Sequence, residues 1–300
     1  MLHEAPCCSF ASVQQILTEQ HMASFGAISA DKLFRLIGSF QTPVIIDVRD
    51  PEGLAARPSL VPSSFHRDHR QVETWGSGYA GAQVIVVCSK GKKLSEGVAA
   101  HLRILGADAE ILEGGIEAWA AAGLPLVPVA SIPGQSIKGG TLWVTRSRPK
   151  IDRIACPWLI RRFVDPAARF LFVSTAEVAA VAENFGATPF DVDGVFWSHR
   201  GETCTFDTMI GEFALHVPAL LRLADIVRGA DTDRLDLAPQ AAGLLAVSLG
   251  LSRLHASDLE QLDAGMLVYD ALYRWARDAV DEKHTWTSHG ISLGGREPGQ

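Results

Sequence analysis

A strand, a loop and a helix follow one another in residues 83–106, and this stretch constrains the fold more than any other. Its sequence, QVIVVCSKGKKLSEGVAAHLRILG, begins with an apolar run over residues 84–87 that ends at Cys88. A polar loop follows, and apolar residues at helical spacing begin near Ser95. From Ile28 onward, helix-like and strand-like segments alternate in the same way. This alternation predicts an α/β domain, a parallel sheet with helices on both faces.

Cys88 lies at the mouth of the loop, in surroundings that favour a thiolate. Cations and helix N-termini stabilise the thiolate, which is the nucleophilic form of cysteine. The loop carries three lysines, Lys90, Lys92 and Lys93. Gly91 allows the chain to curl into a nest of backbone N–H groups that suits an oxyanion or a persulfide. The alternative is a cysteine that only closes a buried strand.

Asp47 and Arg49 lie at the end of a second predicted strand. Its apolar run, residues 44–48, would be buried in such a sheet. Because ligands bind beyond the carboxyl ends of the strands in open α/β sheets, we expect this pair near Cys88. The predicted anion or persulfide site is therefore Asp47, Arg49, Ser89, Lys90, Gly91, Lys92 and Lys93. The alternative for Asp47 and Arg49 is a structural salt bridge.

Four motifs in residues 28–128 make this half resemble a rhodanese domain. They are ISADKLFRLI at 28–37, VIIDVRD at 44–50, CSKGKKLS at 88–95 and ILEGGIEAWAAAGLPL at 111–126. The resemblance implies sulfur transfer without a cofactor. Cys88 would attack the outer sulfur of a donor such as thiosulfate, and Lys90 and Lys93 would position the anion. The sequence departs from the family at Lys93 and Leu94, where an arginine and a small hydroxyl residue are common.

The composition of the 300-residue chain bounds its class. A hydrophobic content of 47% supports packed cores in two domains. A net charge of -7 argues against non-specific nucleic-acid binding, and no apolar run is long enough to span a membrane. Five cysteines form no disulfide framework, and the N-terminus lacks the pattern of a secretory signal. We therefore expect a cytoplasmic protein without a nucleic-acid or membrane partner.

The expected organisation has five segments. Residues 1–24 form a lead-in segment, in which the adjacent Cys7 and Cys8 could bind a soft metal. Residues 25–128 form the rhodanese-like domain, and residues 129–140, rich in Pro, Gly and Ser, form a linker. Residues 141–281 form a second domain, and residues 282–300 a flexible tail.

The second domain opens with a predicted strand, residues 142–145, and a basic strand-to-helix turn. Asp152 is expected to cap the helix that follows. The apolar face of that helix would consist of Ile154, Trp158, Leu159 and Phe163. Arg146 and Arg153 flank the turn and are candidates to bind an oxyanion, because a guanidinium fork matches oxyanion geometry.

Residues 188–216 contain the densest run of metal-ligand types in the chain. His199, Cys204 and Asp207 could together hold a transition metal, iron or zinc. A non-metal role is the alternative, with Cys204 as a core residue and Thr203 or Thr205 as a helix cap. The same run also contains Asp191, Asp193, Glu202, Glu212 and His216. At a later helix end, Arg228, Asp231 and Asp233 are candidates to face the same pocket as His199.

The remaining sequence is helical, with predicted helices over residues 217–227, 239–251 and 258–279. One apolar stripe, consisting of Leu220, Leu223, Ile226 and Val227, is typical of a core-facing helix. The second domain is therefore predicted to be a mostly helical α+β domain.

Several long phrases in residues 142–279 resemble the C-terminal domain of the bacterial chromate-resistance protein family. They are TRSRPKIDRIACPWLIRRFVDP, GATPFDVDGV, HRGETCTFD, LADIVRGAD and LVYDALYRWA. This resemblance implies an association with chromate handling, either sensing or detoxification.

The two halves together predict a rhodanese-type sulfurtransferase coupled to chromate or oxyanion resistance. Its partners would be thiosulfate or a small persulfide donor, a thiol acceptor and chromate. Two alternatives stay open: a non-enzymatic chromate or metal sensor, and a metalloenzyme with a degenerate rhodanese module.

Overall fold

A five-stranded parallel sheet forms the centre of the first half of the molecule. The computed structural model describes residues 26–282. The sheet runs in the order β1-β6-β5-β2-β4, which places β5 in the middle with a neighbour on each side. A separate antiparallel pair joins β3 to β7. The strands of this half are β1 (Ala27–Ile28), β2 (Val44–Asp47), β3 (Ser59–Leu60), β4 (Ser64–His66), β5 (Gln83–Val87), β6 (Asp108–Leu112) and β7 (Val127–Pro128).

Helices connect these strands, as the alternating pattern predicts. Ser29 accepts a hydrogen bond from the backbone N–H of Lys32 at the start of the first helix. The side chain of Asp50 caps the second helix in the same way, because it accepts from the backbone N–H of Gly53. Pro51 is at the first helical position. The helices of this half are α1 (Ala30–Leu36), α2 (Pro51–Ala56), α3 (Val72–Trp75), α4 (Lys93–Ile104) and α5 (Gly115–Ala121).

A smaller parallel sheet and a set of longer helices form the second half. The sheet has three strands in the order β10-β8-β9. The strands are β8 (Leu142–Arg146), β9 (Arg169–Val173) and β10 (Thr188–Pro189). The helices are α6 (Asp152–Leu159), which continues as a π-helical turn (Ile160–Val164), then α7 (Val178–Phe185), α8 (Thr205–Glu212), α9 (Pro218–Asp231), α10 (Ala241–Leu254) and α11 (Asp258–Asp278).

The apolar faces predicted from helical spacing are buried. Trp158, Leu159 and Phe163 are fully buried, and Ile154 nearly so. The stripe on α9 is buried along its whole length, from Leu220 to Val227. Both halves therefore have the fold classes predicted for them, an α/β domain with a parallel sheet and a helix-rich second domain.

One continuous hydrophobic core connects the two halves. Gly38, at φ +86°, lies so close to the second half that an added Cβ would stand 2.4 Å from the ring of Tyr273 and 2.6 Å from that of Phe163. The backbone N–H of Ser63 donates to the carbonyl of Phe163 at 2.7 Å. Backbone and aromatic contacts thus hold the first half against the second.

Residues 129–140, predicted as a linker, are packed rather than extended through solvent. They contain two short 3-10 turns, and Ile132 is buried in the shared core. The backbone N–H of His66 donates to the carbonyl of Ile137 at 2.5 Å. The exact domain boundaries stay a prediction.

Some expected features lie outside the described residues. These are the lead-in over residues 1–24, with Cys7 and Cys8, and nearly all of the tail over residues 282–300. Within residues 26–282, no helix combines the length and apolar character that crossing a membrane requires.

Candidate functional site

Cys88 directly follows β5, the central strand of the larger sheet. The backbone carbonyl of Cys88 accepts from Ile116 N–H at 3.0 Å, and that of Ser89 accepts from Glu117 N–H at 3.1 Å. The first turn of α5 therefore fixes the loop that carries the cysteine. Only 5% of Cys88 is exposed.

Glycines allow the backbone segments around Cys88 to touch. Gly91 has φ +62°, and a Cβ there would lie 2.4 Å from the carbonyl oxygen of Leu112. Gly115 has φ +61°, and its Cβ would lie 2.2 Å from the carbonyl oxygen of Cys88. Both positions require glycine for space and for their left-handed backbone. The predicted curl at Gly91 is present, and Gly115 completes it.

The N-terminus of α4 adjoins Cys88. The helix begins at Lys93, two residues before the predicted start, and no side chain caps its first N–H groups. The sulfur of Cys88 lies 3.1 Å from the hydroxyl oxygen of Ser95, which donates to the carbonyl of Lys92 at 3.0 Å. Sequence reasoning missed the contact with Ser95. The three loop lysines, Lys90, Lys92 and Lys93, are exposed.

Asp47 and Arg49 form a buried ion pair with an N–O distance of 2.7 Å. The other N–H groups of Arg49 donate to the carbonyls of Gly53, Arg57 and Ser59. Every guanidinium nitrogen is therefore engaged within the protein, and none is free for an anion. The structure corrects the anion-binding prediction for this pair in favour of the alternative, a structural salt bridge.

A basic cavity of about 560 Å³ opens at the carboxyl ends of β2 and β4. Its wall includes Asp50 and Pro51 at the start of α2. That helix adjoins the cysteine loop, because a Cβ at Gly53 would lie 3.0 Å from the hydroxyl oxygen of Ser89. The lining also includes the carboxylate of Asp68 and a larger set of basic side chains, which are Arg49, His66, Arg67, His69, Arg70 and Lys138. Sequence reasoning did not identify this cavity.

In the second half, three carboxylates converge on one imidazole nitrogen. His199 Nε2 lies 3.4 Å from Asp152 Oδ2, 3.3 Å from Asp191 Oδ1 and 3.3 Å from Asp231 Oδ2. Ligand atoms of Asp152, Asp191 and His199 all lie within 4.8 Å of one another. We call these four residues the His199 cluster. Of the three candidates at the end of α9, Asp231 faces His199, whereas Arg228 pairs with Asp207 and Asp225.

Asp152 joins the cluster by capping a helix other than its own. It is the first residue of α6, and its carboxylate accepts from the backbone N–H groups of Thr205 at 2.6 Å and Phe206 at 3.1 Å. These N–H groups lie at the start of α8. Asp152 therefore caps α8, and the prediction that it caps the helix that follows it is wrong. The buried carboxylate ties α6 to α8, and its Oδ2, which accepts from Thr205 N–H, also lies 3.4 Å from His199 Nε2.

Asp191 is held by the two arginines that were predicted to bind an oxyanion. Its Oδ2 lies 3.2 Å from Arg153 Nε and 3.3 Å from Arg146 Nη2. Its Oδ1 accepts from the hydroxyl of Thr205 at 2.9 Å. Arg146 and Arg153 thus pair with a carboxylate of the protein itself, which corrects their predicted role as a free oxyanion fork.

The close approach of these charges changes their pKa values. Burial raises the pKa of Asp152 to about 6, although the hydrogen bond to His199 opposes the rise. Burial would also raise the pKa of Asp191, but hydrogen bonds from His199 and Thr205 and the charge of Arg153 lower it. Hydrogen bonds to Asp152, Asp191 and Asp231 raise the pKa of His199 to about 12. The three carboxylates therefore stabilise positive charge at their centre.

Cys204 and Asp207 do not join His199, which corrects the predicted metal set. Cys204 is fully buried at the start of α8, and burial raises the pKa of its thiol well above the usual value. Asp207 accepts from Cys204 N–H at 3.0 Å and pairs with Arg228 at 2.6 Å. Both residues therefore serve the helix start. Sequence spacing selected neighbours in the chain, whereas the cluster uses residues far apart in it.

Two protein families match this chain, one in each half. The family described as "ChrB, C-terminal domain" matches residues 143–276, and the rhodanese-like domain family matches residues 29–122. Protein ChrB of Cupriavidus metallidurans is 35% identical over 135 residues, which are 45% of this chain and 40% of that protein. The chain thus matches less than half the length of this curated relative.

Solved structures with rhodanese domains resemble the first half. A rhodanese-related protein from Thermoplasma volcanium has 25% identity over 34% of this chain and 98% of its own, with a TM-score of 0.30. A thiosulfate sulfurtransferase from Pseudomonas aeruginosa has 20% identity over 35% of this chain and 19% of its own, with a TM-score of 0.28. Residues 29–122 thus match the rhodanese-like domain family, in agreement with the observed parallel sheet, and residues 143–276 match the ChrB C-terminal domain family.

Proposed function

We propose that this protein is a rhodanese-type sulfurtransferase that carries sulfane sulfur as a persulfide on Cys88. The observation that carries the proposal is the position of the thiol. Cys88 follows the central strand of a parallel sheet and adjoins the N-terminus of α4, whose first N–H groups lack a side-chain cap. Such N–H groups and the helix dipole stabilise an anion, which is the form of both a thiolate and a persulfide.

The reaction consists of two sulfur transfers. The Cys88 thiolate attacks the outer sulfur of thiosulfate, the S–S bond of the donor breaks, and sulfite leaves with the electron pair. The terminal sulfur of the resulting persulfide is then attacked by an acceptor thiolate, and Cys88 leaves as the thiolate. A small persulfide can replace thiosulfate as donor. No net oxidation occurs, and no cofactor is needed.

The groups around Cys88 have separate roles in this proposal. Ser95, 3.1 Å from the sulfur, hydrogen-bonds the thiol and later the persulfide. The exposed lysines Lys90, Lys92 and Lys93 attract the anionic donor. The basic cavity beside α2 adds positive charge on the same edge of the sheet.

We propose further that the sulfur transfer contributes to chromate resistance, and that chromate is a substrate or ligand of this protein. The support is the ChrB C-terminal domain that occupies residues 143–276. The shared core of the two halves, which includes Phe163 and Tyr273, would hold that domain and the sulfurtransferase in one unit.

The test is formation of thiocyanate from thiosulfate and cyanide. We expect turnover by the full chain, and loss of turnover to background in Cys88→Ser. The matched control is Cys204→Ser, which alters a buried cysteine in the other half and should keep the activity. Mass spectrometry after incubation with thiosulfate should show one added sulfur atom on the peptide that contains Cys88. Turnover that is equal in Cys88→Ser would refute the proposal.

The link to chromate is tested in a chromate-sensitive host. Expression of the wild type should raise chromate tolerance, and expression of Cys88→Ser at the same level should not. Equal tolerance with the two proteins would separate sulfur transfer from resistance and support the sensor alternative.

A further inference from the structure

We propose that the His199 cluster is a binding site for a divalent cation of the manganese(II) and iron(II) class. The site lies in the second half of the chain and uses neither Cys88 nor the basic cavity. It also differs from the set predicted from sequence, because it keeps His199 and replaces Cys204 and Asp207 with three aspartates.

The distances within Asp152, Asp191 and His199 fit one shared ion. One ligand atom from each of these residues lies within 4.8 Å of the other two, and both carboxylate oxygens stand 3.3 or 3.4 Å from His199 Nε2. The Asp231 carboxylate adds negative charge 3.3 Å from the same nitrogen. Metal–ligand bonds of about 2.1 Å place neighbouring ligand atoms about 3 to 3.5 Å apart. By contrast, a single imidazole N–H cannot point at three acceptors at once, since a hydrogen bond weakens steeply away from linearity. The arrangement therefore suits a cation at the centre better than three simultaneous hydrogen bonds.

The carboxylates are held in place by contacts outside the cluster. Asp152 accepts from the N–H groups of Thr205 and Phe206, and Asp191 accepts from Arg153 and from the Thr205 hydroxyl. Such outer contacts fix the direction of metal ligands and raise metal affinity. Two buried carboxylates directed at one point would otherwise be costly, because burial disfavours their charge.

An open side connects the cluster with a cavity of about 270 Å³ that His199, Asp191 and Arg146 help to line. Arg146, which also pairs with Asp191, lies on this open side, so solvent or a small ligand can reach the cluster from the cavity.

The donor atoms define the class of ion. Two carboxylate oxygens and one imidazole nitrogen, with the Asp231 carboxylate beside them, favour hard to borderline cations, as in manganese(II) and iron(II) sites. The set contains no thiolate, whereas structural zinc sites favour cysteine and histidine. With three protein ligands, a six-coordinate ion would keep positions for exchangeable oxygen ligands in the cavity.

The experiment is a titration of the full chain with manganese(II). The chain is purified without a metal-binding tag, stripped with a chelator, and titrated while electron paramagnetic resonance follows the free aqueous ion. We expect one ion bound per chain. Asp231→Asn should weaken binding at least ~10-fold, because it removes a negative charge 3.3 Å from His199 Nε2 and little else. His199→Ala should weaken it at least as much.

Two controls make the result specific. Asp193→Asn removes one negative charge from the wall of the same cavity, but its carboxylate lies outside the cluster. We expect this variant, and also Cys88→Ser, to bind manganese(II) as the wild type does. Circular dichroism checks that each variant is folded. The proposal is overturned if the wild type binds no ion, or if folded Asp231→Asn and His199→Ala both bind it with wild-type affinity.

Discussion

The Cys88 loop and the His199 cluster are built in opposite ways. The loop is assembled from residues 88–95, with backbone partners in the first turn of α5. The cluster collects side chains from positions 152, 191, 199 and 231, which belong to two helices and the loops between β10 and α8. The loop depends on backbone shape, and the cluster depends on buried charge.

The two sites should therefore be sensitive to different kinds of substitution. The loop is sensitive to any side chain at Gly91 or Gly115, because backbone atoms occupy the space. The cluster has room beside it, in the 270 Å³ cavity, but each carboxylate there has a specific partner. Steric changes should therefore damage the first site, and changes of charge or hydrogen bonding the second.

The largest effect on stability is expected from Asp152→Ala. This change leaves the N–H groups of Thr205 and Phe206 without their acceptor and removes a buried partner of His199. We expect the free energy of unfolding to fall by about 3 to 5 kcal/mol, as for other broken buried networks. Urea unfolding measures it. Asp152→Asn keeps one acceptor oxygen and should lose less, so equal losses would contradict this account.

Gly115→Ala tests the steric nature of the Cys88 loop. Its Cβ would lie 2.2 Å from the carbonyl oxygen of Cys88, at a backbone φ of +61°. We expect a loss of about 2 to 4 kcal/mol from clash and backbone strain. Thiocyanate formation should fall at least ~10-fold, because the loop must shift. Wild-type turnover in a folded Gly115→Ala would show that the close backbone contact is not needed.

Gly38→Ala tests whether the two halves share one core. The added methyl group would meet the rings of Tyr273 and Phe163, and we expect a loss of about 1 to 3 kcal/mol. The matched control is Gly81→Ala, which has a similar φ of +77° and no atom within 4 Å of the new Cβ. Thermal unfolding of both variants separates the interface contribution from backbone strain. Equal shifts would mean that the contact contributes nothing.

The smallest effect is expected from Gly97→Ala, in α4, the helix that follows Cys88. Gly97 is exposed in α4, and nothing lies within 4 Å of an added Cβ. Alanine should raise the free energy of unfolding by about 0.5 to 1 kcal/mol, because it favours the helix. Sulfur transfer should be unchanged. A loss of activity here would mean that the loop needs flexibility in α4, in conflict with a rigid site.

Local patterns predicted much of the fold. The strand predicted over residues 142–145 is β8, which is one residue longer, and the apolar stripe on α9 is buried as its spacing indicates. Two helices begin two residues away from their predicted starts: α4 begins at Lys93 and not at Ser95, and α10 begins at Ala241 and not at residue 239. Periodicity identifies elements well because side-chain burial repeats along them, but it says little about where a helix is capped.

The candidate sites were predictable to different degrees. The Cys88 loop is a contiguous motif, so its cysteine, lysines and glycine could be recognised in the sequence. The partners of Asp47 and Arg49 could not, because an anion site and a buried salt bridge use the same residue types. Asp152 was mistaken for a local cap, since its true partners, Thr205 and Phe206, lie more than fifty positions away.

By itself, the sequence determined the order of strands and helices, the two domain types and the position of Cys88 in its loop. These follow from short-range spacing and contiguous motifs. Only the tertiary structure decided which carboxylates meet His199 and how the two halves share a core. Such contacts depend on the packing of α6, α8 and α9, because burial and long-range charge pairing are properties of the folded chain and not of neighbouring residues.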